Sequence, residues 1–496
     1  MAEIALPILF PLILIIILLF VRPARYVKWI SIVGSTLLLL ISVFLFYKVS
    51  QHKIISLQMG GWEAPFGITL VLDYLSSLML VVSAIIFFAI ALYSNKFIDL
   101  STNYSRFYIF FFSLTMGVNG AFITGDVFNL YVWFEVILLS SFVLITMGSS
   151  KEQLEGGIKY MALNLIGSLL FLTGLGLLYG KTGTLNMAHL AQILIDDKQS
   201  ILMNTSAIFF FIAFGIKAAV FPLFFWLPSS YHTPNITVSS LFAGILTKVG
   251  VYALIRFFTL FFIQDAEFWH KLLLIVAGLT MVIGGMAAST HYETRRILSY
   301  HIISQIGYMI MGLGIYTPLA IAGAIFFTIH NMVAKTNTFL VSGLISRMKG
   351  TFYLKNIGGL FKESPLVSVL FIIPAFALAG IPPLSGFFAK FILIKAGIDD
   401  GHYIITGVAI LTGMLTLYSM IKIWNEAFLK KQPAKKQELP EAVKLSFFEL
   451  FPSILLGLIS LALGIFAAPF FTITLEAANQ LIDPEIYINT ILNGVK

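Results

Sequence analysis

Glu135 stands near the middle of FNLYVWFEVILLSSFVLI (128–145), a run that is otherwise apolar at almost every position. It has company: Lys217, Lys248, His330 and Lys335 each fall within a few residues of the midpoint of another apolar run. Such a midpoint is about 15 Å from either interface of a ~30 Å hydrocarbon core. A lysine side chain extends only about 6 Å, so it cannot carry its charge out to water from there. Each charge at that depth costs at least about 2.5–3.5 kcal/mol on insertion scales. These groups must therefore face one another or a hydrated interior. Carboxylates, amines and imidazoles in such a setting are the side chains that form proton relays. A fixed Glu135–Lys217 ion pair that only sets helix packing is the plain alternative, and a weak one, because buried pairs are often no better for stability than apolar replacements. Lys217, Lys248, Lys335 and Lys390 also outnumber the one deep carboxylate, so some of these lysines lack an acidic partner and can give up a proton.

The elements that must hold these groups are membrane helices. The chain has 496 residues, 59% of them hydrophobic and 11% charged, with a mean hydropathy of +0.95. A soluble domain has about 25% charged residues. The fold class expected is all-α and polytopic. Apolar runs bounded by charges, Pro/Gly clusters or polar turns predict fourteen spans near 4–21, 27–47, 70–95, 106–124, 127–147, 157–180, 204–227, 237–262, 271–289, 298–315, 318–345, 366–396, 403–428 and 447–475. Glu3 precedes the first run while Arg22, Arg25 and Lys28 follow it, the reverse of a signal peptide, so this run is expected to stay as a helix. With the N-terminus outside, most loop Lys and Arg fall on the cytoplasmic side, in stretches such as 347–362 and 430–444, and both termini face outward. The net charge of +8 then belongs to cytoplasmic loops and gives no reason to expect nucleic-acid binding. With no cysteine in the chain, thiolate-held iron–sulfur clusters and c-type haem are excluded. No His/Asp/Glu group has metal spacing, so neither a cofactor nor a metal is expected.

Two spans are interrupted beside a lysine. Pro222, in FGIKAAVFPLFFWLP (214–228), cannot donate a backbone hydrogen bond and frees the carbonyl of Ala218 next to Lys217. Pro382 and Pro383, in AGIPPLSGFFAK (379–390), break another span ahead of Lys390. Freed carbonyls at membrane depth are tolerated only against protein or water. Paired interrupted helices in separate halves characterise inverted-repeat transporters, although a plain proline kink explains either one alone. His330 and Lys335 lie about 140° apart on a regular helix, and a π-bulge would bring them together. Arg256, Lys395 and Lys422 lie near enough to span ends to reach headgroups. His232, in the loop WLPSSYHTPN (226–235), is either a proton entrance or a solvated loop histidine.

The stretches WLPSSYHTPNITVSSLFAGILTKVGVYALIR (226–256), RRILSYHIISQIGYMIMGLG (295–314), HNMVAKTNTFLVSG (330–343) and GIPPLSGFFAKF (380–391) resemble the antiporter-like subunits shared by respiratory complex I, membrane-bound hydrogenases and Mrp-type sodium/proton antiporters. The resemblance implies a three-helix segment (1–105), two inverted five-helix repeats (106–262 and 263–428), each with one broken helix, and a final part (429–496) holding a cytoplasmic loop, the last helix and an outward C-terminus. It further implies a proton-translocating axis through Glu135, Lys217 and Lys248, continued by His330, Lys335 and Lys390. The stretch FITGDVFNLYVWFEV (122–136) is most similar to the Mrp branch. One complex I subunit type has glutamate where Lys390 stands, and the longer members continue into a lateral helix or extra domain that the short stretch after the last span does not lead one to expect. The partners implied are a larger homologous subunit, several small membrane subunits, Na⁺, H⁺ and membrane lipids. Complex I or a related hydrogenase is the alternative setting. A channel could use the same axis, and a membrane enzyme acting on lipid-linked substrates would need a loop–membrane constellation that the sequence does not offer.

Overall fold

The computed structural model describes residues 2–98, 104–195, 201–433 and 445–492, so most of the basic loop at 430–444 lies outside the described residues. Two helices open the chain, α1 (Leu6–Phe20) and α2 (Ala24–His52), followed by a small antiparallel hairpin of β1 (Ile55–Gln58) and β2 (Thr69–Leu72). Then come α3 (Tyr74–Phe97), α4 (Tyr104–Ile123), α5 (Val127–Thr146), α6 (Lys151–Thr182) and the short α7 (Met187–Ile195). The first interrupted span is α8 (Ile201–Ala218) with α9 (Trp226–Tyr231). It is followed by α10 (Ile236–Leu260), α11 (Ala266–Thr290), α12 (Thr294–Ile315) and α13 (Pro318–Lys349). A four-residue turn of helix, α14 (Leu360–Glu363), leads into the second interrupted span, α15 (Pro365–Ala379) and α16 (Ser385–Asp399). The chain ends with α17 (Tyr403–Trp424), α18 (Phe447–Ile465), α19 (Ala467–Ile482) and α20 (Pro484–Leu492).

Among the described residues, 13 helices are long and apolar enough to cross a membrane. The fourteenth predicted span is the α15/α16 pair, each half of which is too short to cross alone. Apart from the one small hairpin, the protein is thus a helical, multi-pass membrane protein. Side-chain caps set several helix starts: Ser150 and Gln153 form a capping box on α6, and Ser446 and Glu449 form another on α18. α10, α12 and α13 are enclosed almost completely by the others, whereas α1, α2 and α6 turn rows of Leu, Ile and Phe outward. A polar residue on the enclosed helices therefore meets protein, while the outward rows suit lipid.

Three local expectations change. The last span, read as 447–475, is two helices that meet at Phe466 and run on to Ile482, where Gln480 bonds the backbone of Lys53 and Tyr74. No π-bulge joins His330 to Lys335: α13 is a continuous α-helix of 32 residues, and the π-turn lies at Asn425–Leu429. α8 does not kink at Pro222 but ends four residues earlier, with Ala219 in the left-handed region (φ 60°). Relaying the chain through 219–225 lets the Trp226 indole donate to the Ile216 carbonyl at 2.9 Å and Phe221 N–H donate to Thr280 at 3.0 Å, so these two backbone groups find protein partners.

Candidate functional site

Glu135 lies in the middle of α5, half-buried, with Oε1 enclosed and without a hydrogen-bond partner. Lys217 is the last residue but one of α8, at the lip of the first break. Its ammonium lies 4.8 Å from the centroid of the Phe134 ring and 3.4 Å from Ser168 Oγ on α6. Glu135 is within electrostatic reach of it, but the two form no ion pair. Beside Lys217 is a cavity of about 20 Å³, room for one water, lined by Tyr160, Asn164, Trp226 and Val249 among others. Gly250 makes the close approach possible: a Cβ there would stand 2.5 Å from the Ala218 nitrogen, so α10 rests directly on the break.

Lys248 precedes Val249 on α10, a helix buried along its whole length, and donates back to the Ala243 carbonyl at 2.6 Å. Lys335 on α13 is fully buried without a hydrogen-bond partner, and Lys248 and Lys390 are its charged neighbours. His330, on a different side of the same helix, exchanges a hydrogen bond with Ser385 at the start of α16 (2.8 Å), and Ser385 meets Ser460 of α18 at 3.1 Å. Lys390 turns back from α16 to the second break and donates to the carbonyls of Leu378 (2.9 Å) and Ala379 (3.1 Å), over the Tyr308 ring. These are the C-terminal carbonyls of α15, the negative end of its dipole. A headgroup-seeking lysine would point the other way.

The structure therefore sets Lys217, Lys248, Lys335 and Lys390, all buried, in one succession that half-buried Glu135 opens, with His330 beside its far end. Pro222 lies in the first break and Pro382 and Pro383 in the second. His232 stands apart on the face that carries Arg295, Arg296 and Lys355, beside a cavity of about 240 Å³ lined also by Glu152, Glu155, His291 and Arg296. Arg296, which can only donate, bonds His232 Nε2 at 3.1 Å, so the ring is the neutral tautomer whose Nδ1–H donates to the Pro228 carbonyl at 2.7 Å. Burial, then the Arg296 charge, push the His232 pKa below the ordinary histidine value.

Three features escaped the sequence reading. Arg256 does not reach for headgroups: it forms a buried ion pair with Asp73 at 2.6 Å and lies between the Tyr252 and Tyr487 rings. Asp73 also caps α3 through Ser76 N–H at 2.9 Å, which holds its second oxygen toward the arginine. The sequence signal was the D-x-x-S pattern of Asp73 and Ser76, which lies inside the predicted span 70–95 and was passed over there. Lys422 likewise donates to the carbonyls of Ser289 and His291 at the end of α11, while Lys395 stays exposed and pairs with Asp399. His301 on α12 is fully buried with both ring nitrogens unpartnered. Its place near one end of the predicted span hid it. Among the described residues no group of three or more His, Asp or Glu side chains could hold a metal ion.

The transmembrane family described as NADH:quinone oxidoreductase/Mrp antiporter matches residues 124–416, and the chain belongs to that family. It is 45% identical to the D subunit of the Na⁺/H⁺ antiporter of Alkalihalophilus pseudofirmus, over 94% of each chain. It is 37% identical to the protein of the same name in Bacillus subtilis, over 98% of each. Among solved structures, a chain in the Mrp complex from Dietzia sp. DQ12-45-1b superposes with a TM-score of 0.91 at 29% identity, covering 99% of this chain and 100% of that one. A chain of an archaeal membrane-bound sulfane sulfur reductase superposes at 0.92 with 26% identity and the same coverage.

Proposed function

We propose that this chain is the proton-translocating D-type subunit of a multi-subunit Mrp Na⁺/H⁺ antiporter in a bacterial cell membrane, exchanging cytoplasmic Na⁺ for external H⁺. The observation that carries the reading is the succession from Glu135 to Lys390, four of whose members are buried lysines without a carboxylate against them. Fixed structural charges would be paired. Amines next to carbonyls, a hydroxyl or a one-water cavity instead suit a group that holds a proton at one moment and releases it at another. Proton occupancy would draw Glu135 and Lys217 together or apart, and the change of charge would pass along Lys248, Lys335, His330 and Lys390. The chain thus acts as a transporter subunit rather than as an enzyme.

The two broken helices, one in 106–262 and one in 263–428, support two inverted repeats. The face of Arg295, Arg296 and Lys355 is assigned to the cytoplasm on the excess of Lys and Arg there, with both termini outside and His232 as a proton entrance. The Na⁺ path is left to a neighbouring subunit. The second reading, a pumping subunit of complex I or a hydrogenase, draws on the shared family and the sulfane sulfur reductase likeness.

The test is exchange in everted vesicles from cells that depend on the complex for Na⁺ extrusion, together with gentle purification of the tagged chain. Na⁺-dependent proton movement, with small membrane proteins and a larger homologous subunit co-purifying, is the expected result. Proton pumping driven by NADH, with flavin- and iron–sulfur-bearing partners, would transfer the chain to the second reading.

A further inference from the structure

The proposed proton axis makes no use of His301, although this imidazole is fully buried and neither ring nitrogen has a hydrogen-bond partner. Buried polar groups are almost always partnered. His301 sits two turns inside α12 from the face bearing Arg295 and Arg296. Four and seven residues further on, along the same side of the helix, come Gln305 and Tyr308. Gln305 donates to Thr416 of α17 at 3.3 Å, and its own Oε1 is buried and unpartnered. α17 carries Thr412, Thr416 and Ser419, all fully buried and at the same helical spacing, and Thr416 is the one that meets Gln305. The seam ends inwardly at Lys390: a Cβ on Gly413 would lie 3.6 Å from the Tyr308 hydroxyl and 3.8 Å from the Lys390 nitrogen. At the other end Lys422 of α17 bonds the carbonyls that close α11. The charged groups acting on His301 are Lys335, Lys390 and Lys422, with no carboxylate among them.

We propose that the α12–α17 seam is a proton path joining Lys390 to the cytoplasmic face, with His301 as its relay. The idea rests on the function proposed above and adds a cytoplasmic connection to Lys390. In the inward-moving step, protonated Lys390 gives its proton to the seam and becomes a neutral amine. One His301 nitrogen takes up a proton, the other releases one to cytoplasmic water, and the ring ends neutral with its tautomer exchanged. With Lys335 and Lys422 near and no anion beside it, the imidazolium is short-lived, which suits a relay rather than a storage site.

The test uses the complete complex in everted vesicles, with Lys217→Ala as the reference for loss of the main axis. His301→Gln, polar and of similar size but unable to titrate, should lose at least about tenfold of Na⁺-dependent exchange while the complex assembles normally. His301→Glu should recover a substantial part of it, with a displaced pH profile, because a titratable group is restored. Near-full exchange in His301→Gln beside an inactive Lys217→Ala would overturn the relay and leave the proposed function standing. Equal inactivity of the Gln and Glu variants, with an unmoved pH profile, would reduce His301 to a packing residue. Full exchange in both His301→Gln and Lys217→Ala would remove the relay and the function beneath it together.

Discussion

The Lys217 ammonium rests 4.8 Å from the Phe134 ring centroid, not against the carboxylate of Glu135, the next residue along α5. The α5 helix turns Phe134 and Glu135 about 100° apart. The aromatic ring therefore takes the place beside the lysine that an ion pair would need, while Glu135 stays close enough to act on it by charge. The arrangement is the separated state of a pair that proton occupancy can change.

Glu135→Ala should abolish Na⁺-dependent proton movement in vesicles with the complex still assembled, since this half-buried carboxylate holds no ion pair that packing depends on. Lys217→Ala should be as damaging. Because both belong to one functional unit, the double variant should lose no more than either single one. Additive partial losses, measured as exchange rates at equal complex content, would show two independent roles.

Lys390 tests whether charge or titration matters at the second break. Lys390→Met, similar in length and unable to titrate, should lose nearly all exchange. Lys390→Glu should keep some, although a carboxylate meets the Leu378 and Ala379 carbonyls poorly. Full exchange in Lys390→Met with normal assembly would take Lys390 off the path.

The Asp73–Arg256 pair is a matter of stability. Asp73→Ala leaves a buried guanidinium uncompensated and should cost about 3–5 kcal/mol, read as a lower melting midpoint of the detergent-solubilised complex. Asp73→Ala with Arg256→Met, which removes both charges, should recover most of that loss. A double variant as unstable as Asp73→Ala alone would assign the effect to the lost α3 cap instead.

His232 gives a pH prediction. Its folded-state pKa lies below the unfolded value near 6.5. The neutral, Arg296-bonded form is therefore favoured above that pH, and its contribution is lost as pH falls from about 6.5 through the lowered value. Arg296→Gln removes the second of the two main causes and should raise the midpoint partway, burial remaining. The midpoint can be read from the pH dependence of diethylpyrocarbonate labelling of the His232 peptide by mass spectrometry. An unchanged midpoint in Arg296→Gln would dismiss the electrostatic account.

The membrane architecture was legible in the residues alone because hydropathy is a local property. An apolar run of membrane length must cross, a Pro-rich break must interrupt, and a lysine at the midpoint cannot escape to water. Those arguments predict the spans, both interruptions and the mid-span positions of Glu135, Lys217, Lys248, His330 and Lys335 without any contact being known. Which side of each helix faces which neighbour is not a local property. Only the packing of the bundle put Phe134 rather than Glu135 against Lys217, kept α13 regular so that His330 turns to Ser385 and Lys335 toward Lys248, and matched Arg256 with an aspartate far away in the chain. It also set Gln305 of α12 against Thr416 of α17. Burial in the low-dielectric interior makes an unpaired charge expensive, so each buried group is decided by the nearest available partner, and the tertiary arrangement alone determines which partner that is.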